Sequence, residues 1–377
     1  MKTEQRYWAE NKGWVSESGD ANLKDAQLVL VFGSLPHIQN KSLFEEIRNS
    51  YPLAYILGGS SAGEICGTHI HENSLTVTAI FFEHTTLAST HKSIESEISF
   101  SVGEELVRSL PQEGLRHIFV LADGLNTNGT ELIKGMSKHL PKNVTITGGL
   151  AGDNGKFVKT LIASNNFSES KNIAAIGFYG SRLKIGFGSK SGFSPFGPER
   201  IITRSENNVL YELDGEPAFE LYKKYLGNKI RDFSTLCYYF PLLYKTKEMN
   251  DGVVRTILRF DEKIGSLTFA GDISTGSSAR LMKANIDSLV SGAEEAAKNC
   301  TTQKNENPEL AILVSCVGRK IVMKQRVEEE IEIVRDVFSS ETTLTGFYSY
   351  GEIAPFGNSN FHHLHNQTMS ITTFSES

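Results

Sequence analysis

The sequence predicts an α/β fold of two domains, with mixed β-sheets and outer helices, built from duplicated βαβ-turn-β units. Three observations predict it. A phrase occurs twice: Gly58-Gly59-Ser60-Ser61-Ala62-Gly63-Glu64-Ile65, and Gly346-Phe347-Tyr348-Ser349-Tyr350-Gly351-Glu352-Ile353, sharing G-x-x-S-x-G-E-I. Each copy follows an apolar run, an acidic amphipathic helix and a second apolar run, and precedes a segment alternating with period 2, the period of a strand. Glycine (33) far outnumbers proline (10), as many tight turns between strands require. The period-2 segments point to antiparallel neighbours rather than a purely parallel sheet. Duplicated units of this kind are expected to pack sheet against sheet and to bring their equivalent turns to a shared cleft.

The elements read in order as follows. Residues 28–32 are a buried-strand run, and Asn40 or Ser42 can cap a helix to about 49. Residues 53–57 are the second strand, and 75–82, rich in β-branched and aromatic residues, the third. A second unit has a helix over 102–110, a strand over 117–121, a helix over 130–140 and a strand over 144–147. It enters Gly148-Gly149-Leu150-Ala151-Gly152-Asp153, a shortened form of the phrase with Asp for Glu. Strands follow near 157–162 and 173–178.

The boundary falls near 180, giving domains of 25–180 and 181–375. Residues 182–188 alternate like a strand, 191–200 read as a Gly/Pro/Phe loop, and 201–204 resume extended structure. A helix over 218–226 has Pro217 at its first turn. Residues 253–260 and 266–269 read as a hairpin. Ala270-Gly271-Asp272 is another A-G-[DE] turn, opening a long helix over 279–299. The last unit starts at 310, with a helix over 326–338 and a closing strand over 367–374.

The totals exclude several classes. With 377 residues, 39% apolar and 22% charged, the chain suits two soluble domains with cores. A net charge of −6 argues against a nucleic-acid surface. No run of about 18 apolar residues predicts a membrane span, and the first residues lack a signal core, so a cytoplasmic protein is expected. Cys66, Cys237, Cys300 and Cys316 form no C-x-x-C and read as free, buried thiols.

Gly59-Ser60-Ser61-Ala62-Gly63 matches the G-x-S-x-G nucleophile elbow, which would make Ser61 the nucleophile of a serine hydrolase. That elbow needs a helix directly after it, and none is read there. The phrases read instead as tight turns whose Ser and acidic residues bond backbone amides, or as turns touching a ligand. Ligand-binding candidates are Ser61, Glu64, Asp153, Asp272, Ser274, Arg280, Ser349 and Glu352. The acids either cluster around a cation or a ligand amine, or cap separate turns. Residues 272–280, at the expected helix N-terminus, offer amides, hydroxyls and Arg280 to a carboxylate or phosphate. No G-x-G-x-x-G speaks for a dinucleotide. His69, His71, His362, His363 and His365 follow the two full phrases and are the candidate metal or haem-iron ligands.

The segments Gly58 to Ile65, Gly148 to Asp153, Phe269 to Met282, Gly346 to Pro355 and His365-Asn366-Gln367-Thr368 together resemble the FIST family, over about residues 25–375. The resemblance implies a FIST N-terminal and a FIST C-terminal part, and a sensory module binding small ligands such as amino acids. Within that family, a bacterial branch of stand-alone proteins binds haem, senses nitric oxide and controls a partner histidine kinase or cyclic-di-GMP enzyme. The expected function is therefore a cytoplasmic, non-enzymatic sensor with a small-molecule ligand, haem as candidate cofactor, and a separate signalling partner. An amino-acid or metabolite sensor without haem, a hydrolase using Ser61 and a ligand-free scaffold are the alternatives.

Overall fold

The computed structural model describes residues 1–19, 23–94, 98–165, 167–227, 237–247, 249, 251–300, 307–356 and 361–376. Three copies of one unit dominate it. In the first, Leu28–Gly33 lies between Tyr55–Ser60, parallel to it, and Ser74–Phe81, antiparallel to it. The second sets Leu115–Ala122 between Thr145–Leu150 and Asn172–Tyr179, and the third sets Leu310–Cys316 between Thr343–Ser349 and Met369–Glu376, in the same senses. A helix joins the parallel pair each time: Lys41–Ser50, Gly129–Lys138 and Glu329–Val337. Asn40 caps the first of these by accepting from the Ser42 and Leu43 N–H groups.

After each phrase the chain leaves its own sheet for the next. Glu64–Cys66 pairs with Thr343–Ser349 of the third unit, Ile162–Ser164 with Tyr55–Ser60 of the first, and Gly351–Pro355 with Thr145–Leu150 of the second. The exchange is cyclic, so three sheets close around one axis where two facing sheets were expected. Their shared interior is packed, with Phe32 stacked on Phe347 (4.5 Å) and Phe178 on Phe374 (5.0 Å). Outer cores lie between each sheet and its helices, as Val29, Val31, Phe44 and Ile47 show for the first unit.

The described strands from Ser194–Glu206 to Ser278–Lys283 make a fourth sheet with its own core, around Phe219, Tyr222, Leu267 and Phe269. The helix Ala218–Leu226 is present, with Pro217 at its N-cap. Ser194–Glu206 is a strand where a loop was read, and Ser278–Lys283 a strand where a helix was expected; the helix there is Ile286–Cys300. Ala279 and Leu281 are buried and alternate with more exposed neighbours, a period-2 pattern too short to stand out from the helical run behind it. Of the expected hairpin, Ile257–Asp261 pairs with Ser266–Phe269, while Val253–Arg255 turns to Leu242–Lys245. The expected boundary near 180 falls just before Leu183–Lys190, which pairs with Met369–Glu376. Among the described residues no helix is long and apolar enough to cross a membrane.

Candidate functional site

The three phrases meet at one end of the closed sheets. Gly152 N–H donates to the Ser60 carbonyl (2.9 Å), Tyr350 N–H to Leu150 (3.0 Å) and Ala62 N–H to Tyr348 (2.8 Å), a ring of equivalent bonds. Lys320, from the third unit, donates to the Ala62 carbonyl (2.7 Å) and the Asn154 side chain (3.3 Å) and pairs with Glu72 (2.6 Å), so it ties all three units together.

Within this ring, Glu64 and Glu352 occupy matching places. Ser61 Oγ donates to Glu64 (2.5 Å) and Ser74 Oγ to its other oxygen (2.6 Å). Ser349 Oγ donates to Glu352 (2.7 Å), and the Thr368 hydroxyl (2.8 Å) and N–H (3.2 Å) to its second oxygen. Burial pushes both carboxyls up to about 7, against these donors. Asp153 differs. Burial opposes its charge, but the Tyr350 hydroxyl and the N–H groups of Lys159, Val158 and Phe157 hold it below the usual range. Each acid thus serves its own turn. Ser61 is buried and held by Glu64, and the strand Glu64–Cys66 follows it, so the strand-turn-helix elbow of a hydrolase is not formed.

Asp272, Ser274 and Arg280 lie apart from the ring, Arg280 on the fourth sheet and the other two in the turn between its strands Ser266–Phe269 and Ser278–Lys283. With Ser278–Lys283 a strand, no helix N-terminus stands at 274–278; Ser274 N–H donates to Tyr244 (3.2 Å) and Arg280 Nε to the Gly197 carbonyl (2.8 Å). The histidines fall into two separate groups. His69 is exposed beside Glu328 (3.6 Å), and His71 stacks on Tyr7 (4.1 Å). His362, His363 and His365 share the strand His362–His365, with His363 and His365 against Phe356. No three metal-ligating side chains gather among the described residues.

A second polar region lies where the fourth sheet meets this strand. Arg255, 3% exposed, crosses the seam and donates through Nη1 to the Leu364 carbonyl (2.6 Å). Asn366 and Gln367 are fully buried, yet none of their four side-chain polar atoms has a partner. The same holds for Arg255 Nε, Thr256 Oγ1 and both ring nitrogens of His362. Buried polar groups normally find partners, because an unpaired one costs roughly 1–3 kcal/mol. Glu352 adjoins this region through Thr368. Sequence reasoning did not single out Arg255; the available signal is a charge inside the apolar run Val253-Val254-Arg255-Thr256-Ile257. For Asn366 and Gln367 it is a polar pair directly before a buried strand.

The buried titratable groups set a pH dependence. Burial pushes His117, His362, His363 and His365 down to about 3, 4, 4 and 3. The unfolded chain takes up their protons below about 6.5, so they make stability rise with pH up to there. Glu64 and Glu352 act oppositely, holding protons that the unfolded chain releases above about 4.5. Four groups outweigh two, so the urea midpoint should rise between about pH 4.5 and 6.5. Glu64→Gln and Glu352→Gln should each steepen that rise, and an unchanged slope in both would show the carboxyls to be charged.

Comparison with known proteins decides the family. The FIST N domain model matches residues 27–216 and the FIST C domain model residues 218–355. The chain belongs to the FIST family. FIST domains are sensory domains of signal transduction that bind small ligands. The ring draws on both FIST domains, with Ser61 and Asp153 in the first and Tyr350 in the second. An uncharacterized protein of Methanocaldococcus jannaschii is 24% identical over 376 residues, covering 90% of this FIST chain and 72% of that protein. Among solved structures, a cyanuric acid hydrolase from A. caulinodans aligns at TM-score 0.35 and 7% identity over 92% of this chain and 90% of its own. Another cyanuric acid hydrolase aligns at TM-score 0.30 and 9% identity, over 93% and 91%.

Proposed function

We propose that this FIST protein holds its small ligand in the seam between the fourth sheet and the strand His362–His365. Occupancy would then be passed to a separate signalling enzyme, a histidine kinase or a cyclic-di-GMP enzyme. The observation that carries this reading is the set of buried, unpartnered polar atoms on Thr256, Asn366 and Gln367. A ligand shifts a partner only through different affinity for two states. The seam suits that role, since it joins two sheets with separate cores and its turn bonds Glu352 of the ring.

Haem is the second ligand reading, and one observation favours it. His362 is buried with both ring nitrogens unpartnered, and it is neutral at pH 7, the form that ligates iron. The fit stops there. A macrocycle needs an open cleft of roughly 300–1,000 Å³, and the clefts of about 410, 900 and 460 Å³ on the surface are lined by none of the five candidate histidines; Thr256, Asn366 and Gln367 line none of them either, so the seam suits only a small ligand. We therefore derive no signalling step through haem.

Both readings are tested on the full chain. Thermal unfolding is followed against amino acids, organic acids and amides, and haem is titrated while the Soret region is recorded. The seam reading expects a rise in Tm for at least one small polar compound, lost in Gln367→Ala. A rise retained in that variant overturns the seam as its location. No Soret shift, or one unaffected by His362→Ala, overturns haem.

A further inference from the structure

Arg255 carries a charge that nothing in the described structure balances by contact. It ends the strand Val253–Arg255 and donates to the Leu364 carbonyl, a neutral acceptor. Among the described residues no carboxylate lies within ion-pair distance of it. The contrast is Arg319, equally buried, whose guanidinium meets Glu330 at 2.6 Å. Asp272 and Tyr244 act on Arg255 only through the field, and burial, the larger influence, pulls its pKa down to about 10. It stays a cation at neutral pH. A buried guanidinium without an anion is among the costlier arrangements in a protein.

The groups around it narrow the chemistry. The bond to Leu364 sets Arg255 two residues along the chain from Asn366, a reach of roughly 7 Å. Asn366 and Gln367 each offer one carbonyl acceptor and an NH2 donor, all unpartnered. Gln367 is held at φ 59°. It packs on Gly318, where a Cβ would meet its amide nitrogen at 2.5 Å. The other titratable groups facing Arg255 are His363 and His365, both neutral at pH 7. Of the acids nearby, Asp272 already faces the Arg255 cation through the field and Glu352 is held by Ser349 and Thr368, so neither is left over for an ammonium group.

We propose that Arg255, Asn366 and Gln367 form a site for a small hydroxy- or keto-carboxylate. Arg255 takes the carboxylate, and the two carboxamides take the hydroxyl or keto oxygen. This rests on the seam reading above and adds the ligand's class.

The test uses the full chain and calorimetric titration with glycolate, lactate and malate, each against its amide, and with alanine against lactate. At least one acid should bind, and its amide should bind about tenfold more weakly or worse, because a hydrogen bond to a charged group is lost. This comparison needs no variant. Arg255→Gln should remove acid binding, with thermal unfolding confirming that the variant folds. An amide that binds as well as its acid, or alanine binding tighter than lactate, overturns the class and leaves the seam reading standing. If no acid binds while another small molecule does, in a manner sensitive to Gln367→Ala, the class again fails alone. If no compound binds and a crystal structure shows only ordered water in the seam, both fail.

Discussion

Arg319→Met should cost the fold about 3–5 kcal/mol, because it leaves the Glu330 carboxylate buried without its cation. Both side chains are fully buried. Arg319 also bonds the carbonyls of Ser191 (2.6 Å) and Leu289 (2.9 Å), so it links the third unit to the segment leading into the fourth sheet and to the helix returning from it. Glu330 in turn accepts from Ser315 (2.8 Å) and Tyr348 (2.6 Å), reaching the ring of phrases. Urea unfolding measures the loss. Adding Glu330→Gln to the variant should recover a large part of it, since a neutral amide still accepts from Tyr348 and needs no cation. A loss below about 1 kcal/mol would show the pair to be solvated and the argument wrong.

Gly346→Ala should cost about 3 kcal/mol or more, at the top of the range for overpacking. Its Cβ would stand 1.8 Å from the Leu313 carbonyl oxygen and 2.7 Å from the carbonyl carbon, backbone atoms that cannot move aside. Gly58 and Gly148 face Val31 and Val120 in the same way, at 1.9 and 1.8 Å. Each glycine lets the phrase strand approach the central strand of its unit, so all three alanine variants should fail alike. Gly114→Ala is the control. Gly114 has φ +74° but open space around it, so it should lose only about 1 kcal/mol from backbone conformation. If Gly346→Ala loses no more than Gly114→Ala, the close approach is not what requires glycine.

These glycines also show what was legible beforehand. The first and third phrases keep Gly, Ser and Glu, and could be matched by eye. The second keeps Gly148 and an acid, but has Leu150 and Ala151 where the first has two serines, so it read as a fragment. Its equivalence lies in backbone bonds, which no side chain records. The helix Lys41–Ser50 was legible because Asn40 caps it and Leu43, Phe44 and Ile47 share a face. Ser278–Lys283 was misread because its few buried residues merge into the period of the next helix. The seam was the least legible. Asn366 and Gln367 look like an ordinary polar turn, and only their burial without partners marks them. Local wording groups Asp272 with the acids of the ring and sets Arg280 at a helix N-terminus, while the fold puts Asp272 in a turn of the fourth sheet and Arg280 on a strand.

The strand exchange has a consequence for how the chain comes to its native state. The second unit's Thr145–Leu150 receives its neighbour from Gly351–Pro355, some two hundred residues later. At a synthesis rate of roughly 5–20 residues per second, that edge waits about 10–40 s on the ribosome. Until then its N–H and C=O groups are open to another nascent chain. Assembly should therefore be slow, governed by contacts distant along the chain, and it should end in a single late step when the last copy of the phrase arrives.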